Sequence, residues 1–275
     1  MVMTDFNDTE VKKRKKFPVS LIILIIGVVM LVVGIILYNA MDMNKYFKTN
    51  PVNEEFDGDK ITTLDIDYGA GQLTIEKSDD NKIHVEGEAS EDYLSIGTDG
   101  DTFRVSTKSL NWWGNFRFFN FGSSEKNYLT IYLPEKTYSD LMVNIGAGET
   151  TINNVNCENG DFSFGAGKVT FNSVTISDTA DFECGAGQVI YNDCIINKGS
   201  FDCGVGQLDY NGIINGDTKI DCGVGQVNFN LQGDESNYKL RGDMSNSTNS
   251  SDAIEIKVSK GIGDTNIRFG QNFGL

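Results

Sequence analysis

Histidine and proline are scarce in this sequence of 275 residues, which contains a single histidine, His84, and only three prolines. One histidine excludes metal sites built from several histidines, and Ser-His-Asp or Cys-His catalysis would have to use that residue. The 30 glycines, together with 39% apolar residues and so little proline, exclude a collagen-like or disordered chain. The glycines therefore serve special backbone positions in a folded domain.

Basic residues are also few, with 23 Lys and Arg against 39 Asp and Glu and a net charge of −16. Five of the basic residues form one block, residues 12–16. Nucleic acids are bound through basic surfaces that neutralise phosphates. The charge balance therefore predicts no nucleic-acid partner.

An uncharged, largely aliphatic run covers residues 19–38. As a helix it would be about 30 Å long, which matches the hydrocarbon core of a bilayer. A cleaved signal peptide is the alternative, but the run exceeds the usual apolar region of about 7–15 residues and no Ala-x-Ala cleavage site follows it. The sequence thus predicts a retained transmembrane helix.

The basic block lies directly before this run, so the positive-inside rule predicts a cytoplasmic N-terminus and an outward C-terminal part. We expect a single-pass cell-membrane protein with a cytoplasmic tail (1–18), a transmembrane helix (19–38), a polar linker (39–60) and an extracytoplasmic domain (61–275). Ser20, Gly27 and Gly34 are seven residues apart and would fall near one helix face, where small residues can let two helices pack as a homo-oligomer. Small residues are also simply common in membrane helices.

A Gly-x-Gly motif recurs through the outer part. Its copies are Gly69-Ala70-Gly71, Gly146-Ala147-Gly148, Gly165-Ala166-Gly167, Gly185-Ala186-Gly187, Gly204-Val205-Gly206, Gly223-Val224-Gly225 and Gly261-Ile262-Gly263. From Gly146 the copies are 19 or 20 residues apart, and Gly261 lies 38 residues after Gly223, which is two periods. A fixed period predicts coils stacked on one another.

Apolar residues alternate with polar ones on both sides of each motif, as at Phe182 and Cys184 before it and Val189 and Tyr191 after it. Alternation predicts strands with one buried face, and the phase changes at the glycines, which therefore mark a corner. The sequence predicts an all-β fold, a β-solenoid of coils of about 19 residues stacked about 4.8 Å apart.

Stacking would turn equivalent positions into columns. Asparagine recurs at one position in five coils, at Asn153, Asn172, Asn192, Asn211 and Asn230. We predict an asparagine ladder whose amides bond along the stack, with a ligand-binding row of amides as the alternative. Cys184, Cys203 and Cys222 predict a buried column of thiols that act as small apolar groups, with disulfides as the alternative, although five cysteines would leave one unpaired.

Residues 77–140 interrupt the period, and alternating runs at 82–88, 102–108 and 128–133 predict strands of a more ordinary sheet. Between two of these runs lies an aromatic cluster. Its members are Trp112, Trp113, Phe116, Phe118, Phe119 and Phe121. It is either a contact loop for a membrane, glycan or protein, or a plug over the open end of the solenoid.

The repeat carries no recognisable cofactor chemistry. A phosphate loop needs a helix after the glycines, whereas strands follow here. Calcium-binding repeats need aspartate after the glycines, where three of these copies have Gln188, Gln207 and Gln226. We expect no cofactor, metal site or catalytic residue.

Acidic residues recur just before the glycines and define what we call the acidic face. Its members are Asp161, Asp181, Glu183, Asp202 and Asp221. Glu183, Asp202 and Asp221 hold equivalent outward positions, so their carboxylates would lie about 5 Å apart. Residues 39–275 contain 18 basic and 36 acidic residues, a net charge of −18. The face could bind a cation or cationic partner, or simply keep the surface solvated.

Three segments resemble a known family: Asp-Tyr-Gly-Ala-Gly-Gln-Leu-Thr-Ile at 67–75, Tyr-Leu-Thr-Ile-Tyr-Leu-Pro at 128–134, and Leu-Met-Val-Asn-Ile-Gly-Ala-Gly at 141–148. Over roughly residues 60–270 the chain resembles the bacterial β-strand-repeat domain called toast-rack or "putative adhesin", a family of unknown function. The resemblance implies a membrane-anchored envelope protein, since members are often of that kind and are sometimes associated with sensing envelope stress or cationic antimicrobial agents. The family motif has no catalytic residues.

These observations predict a non-enzymatic, single-pass bacterial envelope protein whose acidic β-solenoid is an interaction or sensing module. Its expected partners are the bilayer and an unknown envelope protein, glycan or cationic peptide. A structural scaffold or adhesin at the cell surface is the first alternative. A carbohydrate-active enzyme on a β-helix is the second, because paired carboxylates can cleave glycosides.

Overall fold

Twelve strands and one short 3-10 helix make up the part of the chain that the computed structural model describes, residues 49–89, 94–107, 127–246 and 251–270. In chain order they are β1 (Asn50–Asp57), β2 (Thr63–Lys77), β3 (Lys82–Ala89), β4 (Leu94–Asp99), β5 (Thr102–Thr107), β6 (Tyr128–Leu133), β7 (Thr137–Asn153), β8 (Asn156–Asn172), β9 (Thr175–Ile214), β10 (Thr218–Gln232), the 3-10 helix (Glu235–Asn237), β11 (Tyr238–Gly242) and β12 (Ile254–Gly270). The all-β prediction is confirmed for this part.

Several predictions concern residues outside this description. They include the apolar run 19–38 with Ser20, Gly27 and Gly34, and the aromatic cluster at 112–121. Within the described ranges, no helix has the length and apolar character needed to span a membrane.

Parallel pairing joins β2, β7, β8, β9, β10 and β12 into one stack. Equivalent glycines face each other: Gly148 pairs with Gly71 on one side and with Gly167 on the other. Strand β9 is long enough to hold two successive coils, since it contains both Cys184 and Cys203 and these two thiols are in contact. The register therefore follows the period of 19 to 20 residues, as a solenoid requires.

The described residues in the two long gaps between glycine motifs form no further coils of the stack. Gly71 pairs directly with Gly148, and Gly225 pairs directly with Gly263. Gly261 therefore does not lie two coils beyond Gly223, as the spacing of two periods suggests, because β12 lies next to β10. The described part of the intervening chain forms the 3-10 helix and β11. When the length of an insertion is a multiple of the period, the sequence alone does not distinguish it from an additional coil that lacks the glycine motif.

The described residues between β2 and β7 instead form a cap on the first coil. The predicted strands there are confirmed as β3, β5 and β6, and β6 and β5 pair with the two halves of β2. The linker predicted at 39–60 is wrong in its second half, since β1 pairs antiparallel with β3. Its Phe56 ring packs edge-on against Phe103, with centroids 5.4 Å apart. Polar residues on the exposed side of this edge strand concealed its alternation.

Stacked rings fill the core between the coils. Phe162, Phe182 and Phe201 form one column, with successive centroids 4.8 Å apart and nearly parallel planes. A second column on the other side of the glycine corner consists of Phe171, Tyr191, Tyr210 and Phe229. The predicted change of phase is confirmed, because residues 182 and 184 are buried before the glycines and residues 189 and 191 after them.

Two tyrosines of the second column differ in how their hydroxyls are satisfied. The Tyr210 hydroxyl lies 2.8 Å from the Ile213 carbonyl and 3.1 Å from the Cys194 carbonyl. The Tyr191 hydroxyl is buried without a hydrogen-bond partner among the described residues. An unsatisfied buried hydroxyl costs stability, whereas a satisfied one adds about 1 kcal/mol.

We therefore expect Tyr191→Phe to keep or raise the free energy of unfolding, and Tyr210→Phe to lower it by about 1 kcal/mol. The two substitutions remove the same atom from adjacent positions of one column, so each is the control for the other. Denaturant titration monitored by circular dichroism measures both. Equal losses in the two variants would contradict this assignment.

The asparagine ladder is present but is interrupted once. Nδ2 of Asn172 donates to Oδ1 of Asn153 at 2.7 Å, and Asn192 donates to Asn172 at 2.9 Å. Asn211 donates instead to the Tyr191 carbonyl at 3.3 Å, and the amide bonds resume from Asn230 to Asn211 at 2.6 Å. These amides stabilise the stack by bonding to one another and to the backbone.

The five cysteines are buried and none forms a disulfide. Burial raises the pKa of Cys157 to about 12 and that of Cys194 to about 11. The thiols therefore serve as small core groups, as the column of Cys184, Cys203 and Cys222 predicts.

Candidate functional site

Parallel stacking brings the five residues of the acidic face together on one side of the coils, in two columns. Asp161 pairs in register with Asp181 in the first column, and Asp202 pairs with Asp221 in the second. Glu183 belongs to the second column, because its neighbour Cys184 contacts Cys203. Paired side chains on one sheet face lie about 5 Å apart, so the carboxylates repel one another unless a cation lies nearby.

Lys219 supplies such a cation at one end of the acidic face. Its ammonium group forms an ion pair with Asp221, and the charge of Asp202 also acts on it. The hydrogen bond from Lys219 lowers the pKa of Asp221, with further help from Ser259 and Lys257. Sequence reasoning missed Lys219, although a residue two positions before Asp221 on a strand lies on the same face. Glu183 and Asp202 are exposed beyond this neutralised end.

The ion pair predicts a pH dependence. Because the pKa of Asp221 is lowered in the folded state, its stabilising effect is present above the ordinary carboxyl pKa and is lost as the pH falls through the folded pKa. We expect Lys219→Gln to lower the thermal midpoint at neutral pH and to have no effect in acid. Lys219→Gln/Asp221→Asn should differ little from Asp221→Asn alone at any pH. A deficit in Lys219→Gln that persists unchanged in acid would contradict the ion-pair account.

An apolar column that the sequence analysis did not identify runs beside the acidic face. The middle residue of the Gly-x-Gly motif is alanine in the first four copies and grows along the stack to the exposed side chains of Val205, Val224 and Ile262. These three side chains are 54%, 44% and 76% exposed. We call them the apolar ridge. The signal was visible in the repeat, where the middle residue changes from Ala to Val to Ile.

The ridge and the second acidic column run side by side. Val205 follows Asp202 by three residues, and Val224 follows Asp221 by the same step. Three residues of chain span at most about 10 Å, and less where the chain turns at the glycine corner. The outer surface of the late coils therefore has a strip of carboxylates and a parallel strip of apolar side chains, both within reach of one bound segment.

The architecture and the repeat are those of a known protein family. The model of the Toastrack DUF4097 family matches residues 61–273. The chain belongs to the Toastrack DUF4097 family. None of the curated proteins compared with it is similar in sequence.

Solved structures similar to this toast-rack chain come from several bacterial species. A "putative cell adhesion protein" from Clostridium sporogenes is 17% identical, with 81% of this chain and 100% of that chain covered and a TM-score of 0.38. A "putative adhesin" from Bacteroides fragilis is 14% identical, with 80% and 97% covered and a TM-score of 0.32. A "putative lipid binding protein" from Parabacteroides distasonis is also 14% identical, with 80% and 93% covered and a TM-score of 0.34.

A cavity of about 390 Å³ lies at the C-terminal end of the toast-rack stack. Residues that line it include Ile213, Gln232, Tyr238 and Ile254, and Asp252 is the one carboxylate among the described lining residues. Glycoside cleavage uses a pair of carboxyl groups. Across the described ranges, no group of three or more His, Cys, Asp and Glu side chains is arranged to hold a metal ion.

Proposed function

We propose that this toast-rack chain is a non-enzymatic binding module of the bacterial cell envelope, and that its acidic face binds a cationic partner. In this proposal residues 19–38 anchor it in the membrane with the N-terminus in the cytoplasm. The observation that carries the proposal is the register of Asp202 with Asp221, which continues the column of Glu183 on an exposed surface.

Electrostatics favours this class of partner. Like charges in adjacent coils raise the free energy of the unbound surface, and a cationic partner relieves the repulsion between neighbouring carboxylates as it binds. Lys219 already does so at Asp221, and we take it as an intramolecular example of the contact that Glu183 and Asp202 would make with a partner. The net charge of −18 in residues 39–275 attracts the same class of partner from a distance.

The apolar ridge restricts the chemical class of the proposed partner further. Val205 and Val224 are exposed next to the carboxylates, and burying such side chains against another apolar surface is favourable. A partner that carries both basic and apolar side chains fits the two parallel strips better than a simple cation does. The proposed ligand class is therefore a cationic amphipathic peptide or protein segment.

Isothermal titration of the full-length chain in detergent with two synthetic probes tests the proposal. The probes are an oligolysine peptide and an amphipathic lysine–leucine peptide. We expect the second to bind more tightly, and both to weaken as the salt concentration rises. Asp181→Asn/Glu183→Gln/Asp202→Asn, which leaves Asp221 paired with Lys219, should weaken both probes by about tenfold, because three surface charge pairs contribute about 0.5 kcal/mol each.

The control variant removes the same charge elsewhere. Glu54→Gln/Asp79→Asn/Asp99→Asn neutralises three exposed carboxylates on the N-terminal cap, so its net charge equals that of the first variant. Val205→Thr/Val224→Thr tests the ridge and should weaken the lysine–leucine peptide alone. Equal effects of the two charge variants would contradict a specific face, and absence of binding by both probes would favour the structural scaffold.

A further inference from the structure

The last coil of the stack, β12, has one edge that is only half covered. Its other edge pairs with β10 from Ile256 to Gly270. On the half-covered edge β11 pairs only with Ile254–Val258. Among the described residues no strand pairs with this edge between Ser259 and Phe269. The straight run after the glycine corner, residues 264–269, therefore presents peptide groups that can pair with another strand.

The side chains on this run suit a strand partner. Asp264, Asn266 and Arg268 point outward and are exposed. Ile267 and Phe269 point inward and are only partly buried against the core. A strand added along this edge would extend the outer face and would cover the two inner side chains.

We propose that this edge is a homodimer interface, in which β12 of one copy pairs antiparallel with β12 of a second copy and Asn266 lies opposite Asn266. In this register Asp264 of each copy lies opposite Arg268 of the other. Two opposite-charge pairs then flank a central pair of amides. The edge is thus complementary to itself.

Symmetry and charge together select this register. A two-fold axis perpendicular to the sheet keeps the outward face outward, so outward residues must pair with outward residues. Centring the pairing on Asp264 would place two aspartates together, and centring it on Arg268 would place two arginines together. Centring it on the inward residues Thr265 or Ile267 would pair Asp264 and Arg268 only with uncharged residues. Cross-strand pairs of opposite charge are favourable and pairs of like charge are unfavourable, and the centre at Asn266 alone forms two Asp264–Arg268 pairs, so it is the preferred register.

A second copy fits this edge better than an unrelated strand does. An unrelated strand that paired antiparallel would need an acidic residue followed four positions later by a basic one. This chain carries that pattern itself, at Asp264 and Arg268. The interface is short, so we expect association that is weak and depends on protein concentration. This inference does not depend on the acidic face or on its proposed ligand.

Cross-linking of the full-length chain in detergent tests the dimer. Asn266→Cys, treated with a short bis-maleimide, should give covalent dimers, since the five native thiols are buried. Asn228→Cys is the matched control, because Asn228 occupies the same column but has Asp209 and Asn266 as neighbours on either side. If the chains associated through any other part, the two variants would give the same yield of covalent dimer.

Charge reversal then tests the register. Arg268→Asp in the Asn266→Cys background should reduce the dimer yield by about tenfold, because two attractive cross-strand pairs become repulsive. Adding Asp264→Arg should restore the yield, since the pairs are re-formed with the charges exchanged. Circular dichroism confirms that each variant is folded. Equal yields from Asn266→Cys and Asn228→Cys, or no recovery in the charge-exchanged variant, would overturn the proposal.

Discussion

Gly206→Ala should prevent stable folding, with a loss of at least about 4 kcal/mol in the free energy of unfolding. Gly206 has a φ of 150°, a conformation that residues with a side chain rarely adopt. A Cβ atom there would lie 1.9 Å from the carbonyl oxygen of Gly187 in the previous coil. The substitution would therefore strain the backbone of residue 206 and would also clash with the backbone of the previous coil. Both effects lower stability, because hydrogen bonds within the stack prevent that backbone from moving away. Denaturant titration, or the yield of folded protein if none survives, measures the effect.

Two other glycines separate these causes. Gly204→Ala meets the Gly185 carbonyl oxygen at 2.7 Å but has no positive φ, so we expect an intermediate loss. Gly97→Ala has nothing within 4 Å and no positive φ, so its effect should stay below about 1 kcal/mol. If Gly206→Ala proved as mild as Gly97→Ala, the close approach of successive glycine corners would be refuted.

Phe201→Ala is expected to cost about 3–5 kcal/mol, the range for removing a fully buried ring from a core. Phe201 is 1% exposed, and its ring stacks on Phe182 at 4.8 Å and meets Phe229 edge-on at 5.2 Å. The cavity would lie between coils whose backbones are fixed by parallel hydrogen bonds, so neighbouring rings have little room to collapse into it. Thermal or denaturant unfolding of the full chain measures the loss.

Tyr128→Ala is the control for ring removal, because this aromatic side chain is 41% exposed at the N-terminal cap. We expect it to cost far less than Phe201→Ala. Phe201→Leu should fall between the two, since leucine refills part of the space. Similar losses for Phe201→Ala and Tyr128→Ala would mean that the stacked rings do not stabilise the coils as described.

The sequence predicts the repeated part of this fold well, because a fixed period is also a hydrogen-bond register. Once Gly148 and Gly167 are equivalent in sequence, their pairing follows, and so do the inward phase and the asparagine ladder. The breaks in the period do not indicate whether the chain adds a coil or leaves the stack. The spacing from Gly223 to Gly261 is a multiple of the period, yet β12 lies directly on β10.

The sequence predicts which acidic residues form the candidate site. It does not predict which carboxylate is neutralised by an ion pair or which apolar side chains are exposed beside it. Counting acidic residues at equivalent positions brings Asp202 and Asp221 together, whereas the ion pair from Lys219 depends on a side-chain conformation that the repeat does not specify. The exposure of Val205 depends on how the chain turns at the corner. A periodic sequence determines which residues align, and the corner geometry determines which of them reach the solvent.

The central claim is that the coils stack in register and that the insertions lie outside the stack, since the acidic face and the ridge exist only under that condition. Gln72 and Gln226 are exposed members of one column, five steps apart through Glu149, Lys168 and the later glutamines. Nitroxide labels on Gln72→Cys/Gln226→Cys, measured by double electron–electron resonance, should lie about 24 Å apart, from five spacings of about 4.8 Å. If the residues between the first two glycine motifs formed further coils at the period of the repeat, the distance would be about 38 Å, from eight spacings, and that result would contradict the account.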